Sequence, residues 1–123
     1  MKKVNSDEVF ASGAPLVQGM RTDDLVFVSG QIPRTSDGEI LTDDVEEQTE
    51  QVMENIQSIL QSEGLSLDDV IRTGVYLKDS SQFGPFNEVY EEYMNEPYPA
   101  RSAIVVADLA KGVDVEVDVI AVA

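Results

Sequence analysis

The sequence predicts an α+β fold: a single mixed sheet with two helices on one face, in the order ββαβαββ. Three observations predict it. Val113, Val115, Val117 and Val119 alternate with Asp114, Glu116 and Asp118, the period of a strand with one buried face. Val45, Val52, Ile56, Ile59 and Leu60 recur at three- and four-residue spacing, the period of an amphipathic helix. The chain of 123 residues, 42% of them apolar, suits one domain over residues 1–123, and a domain of that size buries about two thirds of its unfolded surface.

The elements follow in order. Residues 1–15 are mixed and end in Gly13-Ala14-Pro15, a turn or extended entry. Leu16 to Met20 and Leu25 to Ser29 read as two strands of a hairpin turning at Asp23-Asp24. Gly30 ends the second strand, and residues 31–41, with Pro33 and Asp37-Gly38, read as a loop. A helix is expected over Thr42 to Glu63, capped by Thr42 or Asp43, with acids in its first turns and Gly64 as its stop. Its acidic run from Asp43 to Glu54 reads as a solvated face. Val70 to Leu77 is a third strand. A second helix starts between Ser81 and Pro85, where proline is tolerated in the first turn, and buries Phe83, Phe86, Tyr90, Tyr93 and Met94. Asn87 lies on that stripe, and its spacing favours a structural amide bonded to backbone over a pocket residue.

The last quarter reads as two more strands, adjacent to each other, Pro99 to Val106 and Val113 to Val119, joined through Lys111-Gly112. Arg101 stands at the mouth of the first, and carboxylates line one side of the second. Two readings of Arg101 with Glu116 stand side by side: a buried structural ion pair, or a grip for a small acid with a water beside it. If the valines of the last strand meet the helices, the carboxylate face must meet water or another subunit. An oligomer with sites at its interfaces would resolve this.

Composition narrows the chemistry. With no Cys and no His there is no disulfide, thiolate nucleophile, imidazole base or ordinary zinc or haem site. No phosphate-binding glycine loop or EF-hand spacing occurs, so cofactor-free chemistry and no metal site are expected. Acids number 24 against 8 bases, a formal charge of −16. Such a field opposes nucleic acid and anionic membrane, slows capture of an anionic substrate unless locally countered, and suits a protein adapted to concentrated salt. No apolar run spans a bilayer and no signal-peptide core follows Met1-Lys2-Lys3, so a soluble cytoplasmic protein is expected.

Five segments in order give the chain a family resemblance: residues 13–19 (GAPLVQG), 29–33 (SGQIP), 87–90 (NEVY), 99–102 (PARS) and 115–122 (VEVDVIAV). Together they resemble the RidA (YjgF) family over nearly the whole chain. The resemblance implies a chorismate-mutase-like fold and a homotrimer with clefts between subunits. It also implies hydrolysis of reactive enamine and imine acids, such as 2-iminopropanoate and 2-iminobutanoate, to 2-oxo acids and ammonia. By position, Arg101 is expected to pair with the substrate carboxylate and Glu116 to hold or activate the attacking water. Ser29, Gly30 and Asn87 are expected to line the pocket, with Ala103 contributing through its backbone.

The chain departs from the family at one position that bears on activity. Deaminating members typically carry Tyr where this chain has Leu16. A lost positioning hydroxyl costs about 0.5–1.5 kcal/mol, and a lost proton-transfer group costs about 10²–10⁴-fold in rate. A non-catalytic binder of small carboxylates, or a regulator, is therefore the alternative function.

Overall fold

The computed structural model describes residues 1–123 as one six-stranded sheet with two α-helices packed on one face. The strands are β1 (Lys2–Val4), β2 (Gly19–Arg21), β3 (Leu25–Gln31), β4 (Val70–Leu77), β5 (Ala100–Val105) and β6 (Val115–Val122). The helices are α1 (Val45–Gln61) and α2 (Phe83–Tyr93). In space the strands run β1-β2-β3-β6-β4-β5. All neighbours are antiparallel except β4 and β5, which are parallel and joined by the α2 crossover.

Several features differ from the sequence expectation. The second strand covers Gly19–Arg21, not Leu16 to Met20, so Leu16 lies in the loop before it. A short edge strand, β1, precedes the predicted hairpin, with Val4 fully buried against the helix side. More consequentially, β5 and β6 are not neighbours, because β4 lies between them and pairs with both. Arg101 pairs with Thr73, while Glu116 pairs with Tyr76 three residues further along β4.

The core lies between the helices and one sheet face. Val75, Leu77, Val115 and Val117 from the sheet meet Val52, Ile56 and Ile59 of α1 and Phe86 of α2, all at 0% exposure. Each such side chain contributes about 1.5–3 kcal/mol on burial. The alternation in β6 is kept, with Glu116 and Asp118 on the opposite face. That face carries no helix, and Phe27, Ile104 and Val122 are exposed.

Asp44, not Thr42 or Asp43, caps α1: its carboxylate accepts the Glu47 amide at 2.7 Å. The acids Glu46, Glu47, Glu50 and Glu54 are exposed. Gln48, fully buried, does what the apolar stripe cannot. Its Nε2 donates to Asp114 Oδ2 and its Oε1 accepts the Asp114 amide, both at 2.8 Å. This reciprocal pair fixes the chain immediately before β6, two residues from Glu116.

Candidate active site

The residues singled out above form two separate clusters. Leu16, Gly30 and Glu116 line a cavity of about 660 Å³ between the N-terminal loop, the end of β3 and the start of β6. Ser29, next to Gly30 in β3, is not itself among the lining residues; its Oγ donates to the Val17 carbonyl at 2.6 Å and its amide to the Gln18 carbonyl at 2.9 Å. The Ser29 hydroxyl thus tethers the loop that carries Leu16. Gly30 is required by close approach: a Cβ there would collide with the Glu116 carboxylate. Burial, then the Asp118 charge, raises the Glu116 pKa above the usual carboxylate range.

Asn87 and Arg101 line the second cluster, a cavity of about 260 Å³ with Tyr90, Glu91, Tyr98 and Pro99. Arg101 lies over the α2 aromatics, its guanidinium carbon 5.1 Å from the Tyr90 ring centre and 5.6 Å from that of Phe86. Those rings stack at 5.6 Å, and the Tyr90 hydroxyl donates to Thr73 Oγ1 at 3.0 Å, so the shelf under Arg101 is fixed. Arg101 makes no salt bridge, and its guanidinium donates no hydrogen bond within the chain. Asn87 Oδ1 is buried without a partner, which costs about 1–3 kcal/mol unless a ligand or neighbour donates to it. The amide is not bonded to backbone. Ala103 lies on β5, two residues from Arg101, half-buried against the core.

Arg101 and Glu116 are therefore not an ion pair. Two strand spacings and a three-residue offset place their Cα atoms roughly 14 Å apart. Arg101 faces α2, whereas Glu116 faces away from the helices. No rotamer joins them within one chain.

The family model described as Endoribonuclease L-PSP, which is the RidA/YjgF family, matches residues 7–123. The chain belongs to this family. Among family members, it is 43% identical over 122 residues to the putative regulator AldR of Lactococcus lactis, covering 98% of this chain and 97% of that one. It is 36% identical over 124 residues to the 2-iminobutanoate/2-iminopropanoate deaminase of Salmonella typhimurium, covering 98% and 97%. The crystal structure of Escherichia coli TdcF with bound serine superimposes with a TM-score of 0.94 at 37% identity, covering 100% of this chain and 99% of that one. The family thus includes a protein named as a 2-iminobutanoate/2-iminopropanoate deaminase and one named as a putative regulator.

Sequence reasoning missed the N-terminal wall of the cavity beside Glu116, formed by Val9 and Phe10. Their signal was an apolar pair within a polar segment, too short to show a period. It also missed that Phe86 and Tyr90 carry Arg101, although their places three and seven residues after Phe83 are visible in the sequence.

Proposed function

We propose that this protein hydrolyses reactive enamine and imine acids, 2-iminopropanoate and 2-iminobutanoate, to 2-oxo acids and ammonia in the cytoplasm. The active unit is a homotrimer in which the Arg101 half-site of one subunit faces the Glu116 half-site of the next. One observation carries this reading: an unpaired guanidinium and an orphaned buried amide oxygen form one half-site, and a carboxylate of raised pKa forms the other, on opposite faces of the sheet. The helix-free face, with exposed Phe27, Ile104 and Val122, supports assembly.

Arg101 grips the planar substrate carboxylate with two parallel N–H donors. Glu116 takes a proton from water as its oxygen attacks the imine carbon, giving a carbinolamine. The same proton passes to nitrogen to complete the carbinolamine, the hydroxyl proton then moves through Glu116 to that nitrogen as the C–N bond breaks, and ammonia leaves a 2-oxo acid. A raised pKa makes Glu116 a stronger base for this step. Asn87 Oδ1 accepts a hydrogen bond from the substrate nitrogen or the water. Ser29 and Gly30 shape the wall, and the Ala103 backbone borders the carboxylate. The reaction is proton transfer and addition, chemistry these side chains supply without a cofactor.

The test couples the protein to a dehydratase that generates 2-aminoacrylate. Accelerated appearance of pyruvate and ammonia is expected, with sedimentation giving three subunits per particle. Pyruvate formed no faster than without the protein would reject the reading.

Leu16 favours one alternative, a non-catalytic binder or regulator of small carboxylates, since it offers no hydroxyl beside Glu116. The name of the Lactococcus lactis relative points the same way. Thermal stabilisation by 2-oxo acids without turnover would establish it. The charge of −16 opposes RNA as a substrate despite the family's description.

A further inference from the structure

We propose that Tyr76 is a positioning residue for the deamination: its hydroxyl holds Asp118 ionised and turned over Gly74, so that Glu116 alone of the two carboxylates takes the proton. This rests on the deaminase reading and goes beyond it in naming what keeps Glu116 in its role.

Register and two glycines set the arrangement. β4 and β6 run antiparallel, with Tyr76 opposite Glu116 and Gly74 opposite Asp118. Tyr76 starts beside Glu116, yet its hydroxyl reaches along the sheet and donates to Asp118 Oδ2 at 2.8 Å. Gly74 makes room for this bond: a Cβ there would stand 2.6 Å from Asp118 Oδ1 and 3.0 Å from the Tyr76 hydroxyl. The Glu116 carboxylate leans the other way, against Gly30 of β3. Two residues apart on one strand, the two acids rise from Cα atoms roughly 7 Å apart. Each then turns over a glycine of a different neighbouring strand. Asp118 accepts the Tyr76 hydroxyl, whereas Glu116 accepts no side-chain hydrogen bond and makes no salt bridge within the chain.

Hydrogen bonding then decides which carboxylate protonates. A phenol O–H bonds a carboxylate most strongly when it is ionised, so the Tyr76 bond favours charged Asp118. Charged Asp118 disfavours a second negative charge on Glu116 and makes it the stronger base. Burial, then Asp118, raises the Glu116 pKa. The bond to Asp118, foremost, raises the pKa of Tyr76, which keeps its proton to donate.

The other charges around Glu116 are cations. β4 brings Arg72, which donates to Ser102 Oγ at 3.3 Å. Lys111 and Arg34 line the cavity, to which the N-terminal loop, β3 and α1 bring only uncharged residues. In the proposed trimer, Arg101 of the partner subunit faces Glu116 as well. Cations favour the ionised carboxylate and weaken it as a base. Asp118 is the one acid beside Glu116 on this strand face that offsets them.

The test follows the Glu116 and Asp118 carboxyl carbons by carbon-13 NMR across pH, assigned through Glu116→Gln and Asp118→Asn, alongside the pH profile of kcat/KM on 2-aminoacrylate. In the wild type Asp118 is expected to titrate below Glu116, and the reverse order would overturn the proposal whatever the variants do. Tyr76→Phe keeps the ring and removes the donor. Its two midpoints should move towards each other, and plateau kcat/KM should fall about 2–5-fold with the weaker base. In Asp118→Asn the Glu116 midpoint should fall further, and adding Tyr76→Phe should move it no more, because Tyr76 acts through Asp118. An unmoved Glu116 midpoint in Tyr76→Phe, or the same shift again in the double variant, would overturn the positioning role. Absence of wild-type turnover on every imine would overturn the deaminase reading instead, and the midpoints would still decide whether Tyr76 governs the pair.

Discussion

Arg101→Ala separates a binding guanidinium from a structural one. Within the chain, Arg101 is exposed and forms no salt bridge, and its guanidinium is held only by the faces of Tyr90 and Phe86. Removing an exposed cation–π contact costs about 0.5–1 kcal/mol, so the subunit fold is expected to persist with Tm lowered by a few degrees. The substrate loses far more. Two parallel charged hydrogen bonds at about 1.5–3 kcal/mol each amount to a loss of roughly 10²–10⁴-fold in kcat/KM. The assay is ammonia release from dehydratase-generated 2-aminoacrylate, with sedimentation run on the same samples to show that the variant assembles as the wild type does. Equal kcat/KM for variant and wild type would refute the carboxylate grip. A collapse of Tm would refute the structural half of the reasoning, because it would mean that Arg101 holds the fold after all.

Further expectations concern Glu116, its neighbours and the surface. Because burial and Asp118 raise the Glu116 pKa, kcat/KM should fall as pH drops through that raised value; Glu116→Gln should lose about 10²–10⁴-fold, and Asp118→Asn should move the acidic limb to lower pH. Gly30→Ala should keep the fold but drive the Glu116 carboxylate aside, costing about 10²-fold in kcat/KM; an unchanged rate would show that the carboxylate position is immaterial. Glu63 receives Arg21 at 2.8 Å and Lys2 at 3.2 Å, which lower its pKa, Arg21 foremost. A lowered folded pKa gives stability that is present above the ordinary carboxylate range and lost as pH falls through the folded value. Glu63→Gln should therefore cost about 1 kcal/mol near neutrality, Lys2 being exposed and screened, and chemical denaturation should show the difference closing in acid. Salt adaptation predicts a higher Tm in molar KCl than in dilute buffer, and the reverse order would reject it.

The fold was legible where a pattern ran long enough. Val70 to Leu77 is bounded as read, because a β-rich run there breaks into Lys78-Asp79. β1 left no such trace: of its three residues only Val4 is buried, and two lysines precede it. Asp44 caps α1 because the helix begins one turn-end later than the first available oxygen, a choice that depends on how Val45 packs. The site was legible as residue types, not as an arrangement. Consecutive strands are neighbours about two thirds of the time, so the sequence alone favours β5 beside β6. The α2 crossover instead lays β5 parallel to β4, which leaves β4 between Arg101 and Glu116. Asn87 reads as a structural amide from its spacing alone; only the packed structure shows its oxygen to be buried and unmatched.

This separation has a consequence for how activity depends on conditions. If both half-sites act on one substrate, no side-chain motion within a subunit can unite them, since they face opposite sides of one sheet. Assembly then becomes part of the active-site geometry. The face that must meet another copy carries apolar Phe27, Ile104 and Val122 alongside Glu116 and Asp118, and each subunit brings a formal charge of −16. Apolar burial favours association, while like charge opposes it at a range of about 8 Å or more unless salt screens it. Salt should therefore act on catalysis mainly through assembly, by raising the fraction of complete clefts, while weakening the long-range attraction of Arg101 for the anionic substrate within each one. The two effects have opposite signs and different concentration dependences. Dilution of the protein at fixed salt alters only the first, so specific activity that falls on dilution in low salt and recovers in high salt would trace the salt requirement to the joining of the two half-sites.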